Sequence, residues 1–178
     1  MPSIGINAGL TLAKKALGVR LDPYLSYNFL VEIEGIIAGG FMEVSGLSIQ
    51  TTLTEDKKFG GENDRTYKFV TGTKYTDITL KRGLTDLDLL WSWYDDVIKG
   101  KIKRQNGSIY LLDHSGLPAM RWDFIEAYPI KWDGPVFNAS GNMVATETLV
   151  LTHNGLTKPK ESQAFSAIRG IASATGLL

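Results

Sequence analysis

The chain has 178 residues, enough for one domain that buries about 70% of the surface its unfolded form exposes, so it needs no staple to fold. It carries no cysteine, which excludes a disulfide framework and agrees with folding in a reducing cytoplasm. Its 19 Lys and Arg balance 19 Asp and Glu, leaving no global field to attract nucleic acid or an anionic membrane; no apolar run approaches the ~20 residues that span a bilayer, and residues 1–9 lack the basic start and apolar core of a secretory signal.

In chain order, residues 11–17 spell two helical turns with Leu12, Ala13, Ala16 and Leu17 on one side and Gly18 as the stop, too short to stand without a docking partner. Asp22-Pro23 breaks the chain before a first strand at 27–34, where Phe29, Val31 and Ile33 face one way and Leu30, Glu32 and Glu34 the other. Residues 36–40 read as a turn, 41–44 as a second strand, Ser45-Gly46-Leu47 as a bend and 48–53 as a third strand. The charged stretch 54–65 with Gly60-Gly61 reads as a long loop before a fourth strand at 66–70 and a turn at 71–74.

A strand at 75–82 then runs into a helix that Thr85 can cap, with Asp88 in the capping-box position and Gly100 as the stop after Lys99. Leu87, Leu90, Trp91, Tyr94, Val97 and Ile98 form its apolar stripe, and Asp86, Asp88, Asp95 and Asp96 lie off it. Trp91 and Trp93 sit ~200° apart on a helix, so one of them must find a second surface. Strands at 108–112 and 119–128 flank the hairpin signal Asp113-His114-Ser115-Gly116, and 143–152 alternates as a long final strand. The result is seven or eight strands and one helix: a mainly β chain, an antiparallel sandwich or barrel flanked by a helix.

Chemistry-bearing residues do not converge. His114 and His153 have no further ligand at metal spacing, and Ser115 and Ser140 sit in turns without a base nearby. No cofactor or metal is therefore expected. The basic cluster of Lys99, Lys101, Lys103 and Arg104 reads either as a solvated helix end, its charges suiting the negative end of the dipole, or as a dock for an acidic partner. Three classes stay in view: a structural assembly protein, a ligand-binding β-barrel with its own lumen, and a small hydrolase.

The segments Asp22-Pro23-Tyr24, Asn28 to Ile33, Gly40 to Leu47, Ile78 to Thr85, Trp93-Tyr94, Ala127-Tyr128-Pro129 and Asn142 to Leu149 together resemble the tail-tube family of contractile phages and extracellular contractile injection systems. The resemblance implies a tail-tube-like fold at 22–157, with extensions at 1–21 and 158–178, assembling as hexameric rings that stack into a hollow tube inside a contractile sheath. It also implies assembly in the bacterial cytoplasm, baseplate and spike as further partners, DNA or protein as cargo, and no membrane anchor. A tube initiator joining tube to baseplate and spike is the alternative within the class, suggested by the two extensions. On this reading Glu55, Lys57, Lys58, Glu62 and Asp64 form a ring-stacking loop, since 54–65 is too polar for a core, and Lys101, Lys103 and Arg104 face the sheath or baseplate.

Overall fold

The computed structural model describes residues 23–34, 36–38, 40–54, 57–58, 66–85 and 89–159. Those residues form twelve strands and one helix. In chain order they are β1 (Phe29–Ile33), β2 (Ile36–Ala38), β3 (Phe41–Ser45), β4 (Ile49–Leu53), β5 (Lys57–Lys58), β6 (Thr66–Tyr67), β7 (Val70–Tyr75), β8 (Ile78–Gly83), α1 (Leu89–Ile98), β9 (Gln105–Leu112), β10 (Pro118–Asp133), β11 (Thr146–Thr152) and β12 (Gly155–Thr157). The described chain divides into two units, one drawn from residues 23–38, 107–123 and 157–159, the other from 40–106 and 124–156. The long strand β10 contributes its first residues to the one and its later residues to the other.

In the first unit the order is β2-β1-β9-β10, with β1 antiparallel to both neighbours and Val31 opposite Ile109. Period-two alternation buries Val31, Ile33 and Ile109 and leaves Glu32 on the other face, where Tyr110 Oη donates to its Oε2 at 2.8 Å. The same chemistry continues one strand over: Ser108 Oγ and Arg121 Nε both donate to Asp123 Oδ1, at 2.6 and 2.5 Å, and the Arg121 guanidinium lies 5.5 Å from the Tyr110 ring centre.

In the second unit the order is β10-β11-β8-β3, all antiparallel. Three cross-strand pairs of β8 and β11 fill its buried face: Ile78 with Leu151, Leu80 with Leu149, and Arg82 with Glu147. Arg82 and Glu147 form a buried ion pair, and Glu147 Oε2 also accepts from Trp132 Nε1 at 2.9 Å. A buried ion pair is weak evidence of net stability, because the cost of desolvating two charges offsets their attraction. Neither unit's sheet closes into a barrel, so the described residues form antiparallel sheets flanked by one helix, and the barrel form of the expectation gives way to open sheets.

Several local expectations change. Residues 36–38 form a strand where a turn was read, because three apolar residues between Gly35 and Gly39 can complete a hairpin with β1. Residues 71–74 belong to β7, not to a turn: Val70, Thr71, Thr73 and Tyr75 favour strand, and the break falls earlier, at Lys68-Phe69. The charged stretch 54–65 contains the two-residue strand β5, paired with β6. The last long strand begins at Thr146 and not at Met143, and the short β12 was not anticipated. On α1 the buried pair is Leu90 and Trp93, three residues apart, with Trp91 39% exposed; Trp93, omitted from the apolar stripe, belongs at its centre. The terminal helix at 11–17 and the Thr85–Asp88 capping box lie outside the described residues, the latter through Asp88.

Candidate assembly surfaces

The most open surfaces lie in the second unit. Strand β3 stands at the end of its sheet order with β8 as its neighbour, and Met42, Glu43 and Ser45 along it are exposed. A strand edge of this kind presents backbone donors and acceptors that another strand can take. Beside it β4 and β7 form a two-stranded ribbon in the register Ile49 with Tyr75, Thr51 with Thr73 and Leu53 with Val70. Alternation, broken by a bulge at Thr71 where the register shifts between Thr52 and Leu53, places Ile49, Leu53, Val70 and Tyr75 on one side, and Gln50, Thr52 and Lys74 on the other. The polar side is tied by Thr71 Oγ1, which donates to the Thr52 carbonyl at 3.0 Å. Ile49, Leu53 and Val70 are each more than half exposed, and a two-stranded ribbon with an uncovered apolar side is marginal without a neighbour.

The ribbon leaves the sheet at a fixed point. Gly46 has φ +87°, and a Cβ there would sit 2.0 Å from the Asp77 carbonyl oxygen, so only glycine lets the two connections pass. Thr76 N donates to Ser48 O at 3.2 Å across that junction, and the buried His153 ring lies between the carbonyl oxygens of Thr76 and Gly155, 3.0 Å from each. His153 thus serves a turn.

At the other end of the same strands, residues 134–145 join β10 to β11. Val136, Phe137, Met143 and Val144 are 90%, 80%, 90% and 71% exposed. A turn at Asn138–Gly141 shapes the loop: Ser140 N donates to Asn138 Oδ1 at 3.0 Å and Gly141 N to Asn138 O at 3.2 Å. Leu84 N donates to Ala145 O at 3.0 Å and fastens the loop to the end of β8. Sequence reading missed this surface, since it took Met143 and Val144 into the final strand; the available signal was Pro135 with Gly134 and Gly141, which punctuate a loop that nevertheless carries large apolar side chains.

The helix and its basic end form a third surface. Asp95 and Lys99 pair at i, i+4, and that carboxylate raises the Lys99 pKa. Trp93 Nε1 donates to the Lys103 carbonyl at 3.0 Å, holding the segment after α1 against the helix. Lys101, Lys103 and Arg104 are exposed, but Arg104 bends back, with Nη1 3.5 Å from Glu126 Oε2 and its guanidinium 5.9 Å from the Tyr128 ring centre. Trp91 packs edge-on against Trp132 at 4.6 Å, which supplies the second surface that the tryptophan spacing demanded. Of the residues read as a ring-stacking loop, Lys57 and Lys58 fall in β5, while Glu55, Glu62 and Asp64 lie outside the described residues. Among the described residues no three His, Asp or Glu side chains gather to hold a metal, and no helix is long and apolar enough to cross a membrane.

An edge strand, an exposed apolar ribbon and an exposed apolar loop are thus the open surfaces of the second unit among the described residues. The family model described as T4-like virus tail tube protein gp19 matches residues 25–157, and the chain belongs to that family. A chain in the cryo-EM structure of the anti-feeding prophage baseplate, 6-fold symmetrised, is similar with a TM-score of 0.69 and 26% identity over 79% of this chain and 97% of that one. A chain in the sheath-tube complex of PVC, an extracellular contractile injection system in its extended state, shares the fold at a TM-score of 0.71 and 23% identity over 80% and 95%. So does one in the virion of a native gene transfer agent particle, at 0.54 and 10% identity over 77% and 99%. None of the curated proteins compared with the chain matches it. The protein is therefore a structural protein of the tail-tube family and not an enzyme.

Proposed function

We propose that the chain forms hexameric rings that stack into the inner tube of a contractile tail or injection particle, conducting DNA or protein cargo. The observation that carries this reading is the open edge of β3 in a chain of the tail-tube family: a closed ring pairs every such edge and leaves none for uncontrolled aggregation. In this reading the tube domain is 22–157, the extensions 1–21 and 158–178 flank it, residues 54–65 contribute to stacking, and Lys101, Lys103 and Arg104 face the sheath or baseplate. The polar character of that last contact suits a surface that must let go when the sheath contracts, because exposed charge pairs are weak and screened by salt. Assembly is placed in the bacterial cytoplasm, in accord with the cysteine-free chain. A second reading, a ring that starts the tube on the baseplate and spike, is favoured by the likeness to a chain of the anti-feeding prophage baseplate. Native mass measurement at micromolar concentration, with electron microscopy of the same sample, tests both. Hexamers or stacked rings are expected; monomer alone, in solution and in the particle, overturns the proposal.

A further inference from the structure

The two uncovered apolar surfaces of the second unit lie at opposite ends of one set of strands. Strand β8 runs from Ile78 to Gly83 between β3 and β11. At its Ile78 end, where Ser45 pairs with Thr79, the chain passes through Gly46 into the β4–β7 ribbon and returns through Thr76 and Asp77. At its Gly83 end, where Thr146 pairs with Gly83, the 134–145 loop begins and ends. An apolar ribbon is thus attached at one end and an apolar loop at the other, about 17 Å apart along six residues of strand.

We propose that these ends bind each other between copies: Phe137 and Met143 of one chain seat on the Ile49, Leu53 and Val70 side of the ribbon of the next. The occupant is a second copy of this chain, for three reasons. The four loop side chains are 71–90% exposed and Ile49, Leu53 and Val70 are 51–69% exposed, so both sides carry nonpolar surface toward the roughly 800 Å² per partner that a stable interface takes. Large exposed patches of this kind mark interaction sites, and here each has a counterpart of the same chemistry on the same chain. The chain has no net formal charge, so copies approach without mutual repulsion. Two different patches at opposite ends make a head-to-tail contact, which propagates where a two-fold contact would stop at a dimer. This gives the proposed stacking its apolar component and rests on that reading for its place in a tube, while the contact itself can be tested without tubes.

The absence of native cysteine allows a clean cross-linking test. The full chain carrying both Leu53→Cys and Phe137→Cys is oxidised at micromolar concentration and run on a non-reducing gel. A ladder of covalent dimers, trimers and higher species is expected, and a mixture of the two single variants should stop at dimers formed between one of each. A control pairing Phe137→Cys with Ile98→Cys, exposed on α1, should give at least tenfold less product. Absence of the ladder, a double variant that stops at dimers, or equal yield from the control overturns the proposed contact. Failure of the unaltered protein to form rings or tubes would count against the proposed function and leave the cross-linking result to judge the contact separately.

Discussion

Strands β8 and β4 are both short and apolar at alternate positions, yet they have opposite fates. In β8, Ile78 and Leu80 are fully buried against Leu151 and Leu149, whereas in β4, Ile49 and Leu53 stand more than half exposed. Alternation makes a strand but does not say whether its apolar side finds cover inside the chain. β8 has a neighbour on each edge, β11 and β3, while β4 pairs with β7 in a two-stranded ribbon. The first is a folding element and the second, on the proposed function, an assembly element, and variants at matched positions separate them.

The largest effect belongs to the polar rung of the buried ladder. Removing the carboxylate by Glu147→Ala takes away the Arg82 ion-pair partner and the acceptor of the Trp132 indole N–H, and should cost about 3–5 kcal/mol of stability in urea unfolding. The paired change Arg82→Met with Glu147→Leu should recover most of that loss; if it is as damaging as the single variant, loss of the Glu147 carboxylate from this pair is not the cause. Next comes the apolar rung. Leu149→Ala should cost about 2–5 kcal/mol by cavity formation, whereas Leu53→Ala on the ribbon should stay within roughly 0.5 kcal/mol for the unassembled chain while weakening assembly. Equal losses at the two positions would erase the distinction between folding and assembly elements.

The smallest effect sharpens the contrast from the first unit, where polar contacts are made within the sheet. Burial, and then the hydrogen bond to Glu32, raise the Tyr110 pKa above its ordinary value near 10. The folded chain therefore holds this proton longer than the unfolded one. Its contribution to stability is complete below the ordinary phenol value and is lost as pH rises through the raised one. Melting temperature measured from pH 9 upward should fall less steeply for Tyr110→Phe than for the unaltered chain; parallel curves would show that the phenol is not linked to folding.

Much of the fold was legible where local chemistry and tertiary structure agree. The strands read at 41–44 and 48–53 match β3 and β4 to within a residue, and the helix read up to Lys99 is described over Leu89–Ile98. Reading failed where one residue type serves two outcomes. Ile36-Ile37-Ala38 between glycines served a strand as well as a turn, and β-forming Thr and Val outweighed Gly72 in β7. Adjacent tryptophans could not be assigned to faces, because the buried side of α1 is set by the sheet it meets and by the Lys103 carbonyl that receives Trp93. The surfaces were less legible than the fold: charge singled out Lys101, Lys103 and Arg104, but Arg104 is drawn toward Glu126, and the exposed Phe137 and Met143 were marked only by the loop residues Gly134, Pro135 and Gly141 around them.

By itself the sequence determined the mainly β architecture, the helix that follows β8 and the family, because backbone propensity, period-two alternation and turn residues act over a few neighbours at a time. Only the tertiary structure decided which alternating strands are covered, which polar pair is buried and which apolar side chains stand at the two ends of β8. Those outcomes depend on pairing between residues far apart in the chain, such as Arg82 with Glu147, and no local pattern encodes the partner.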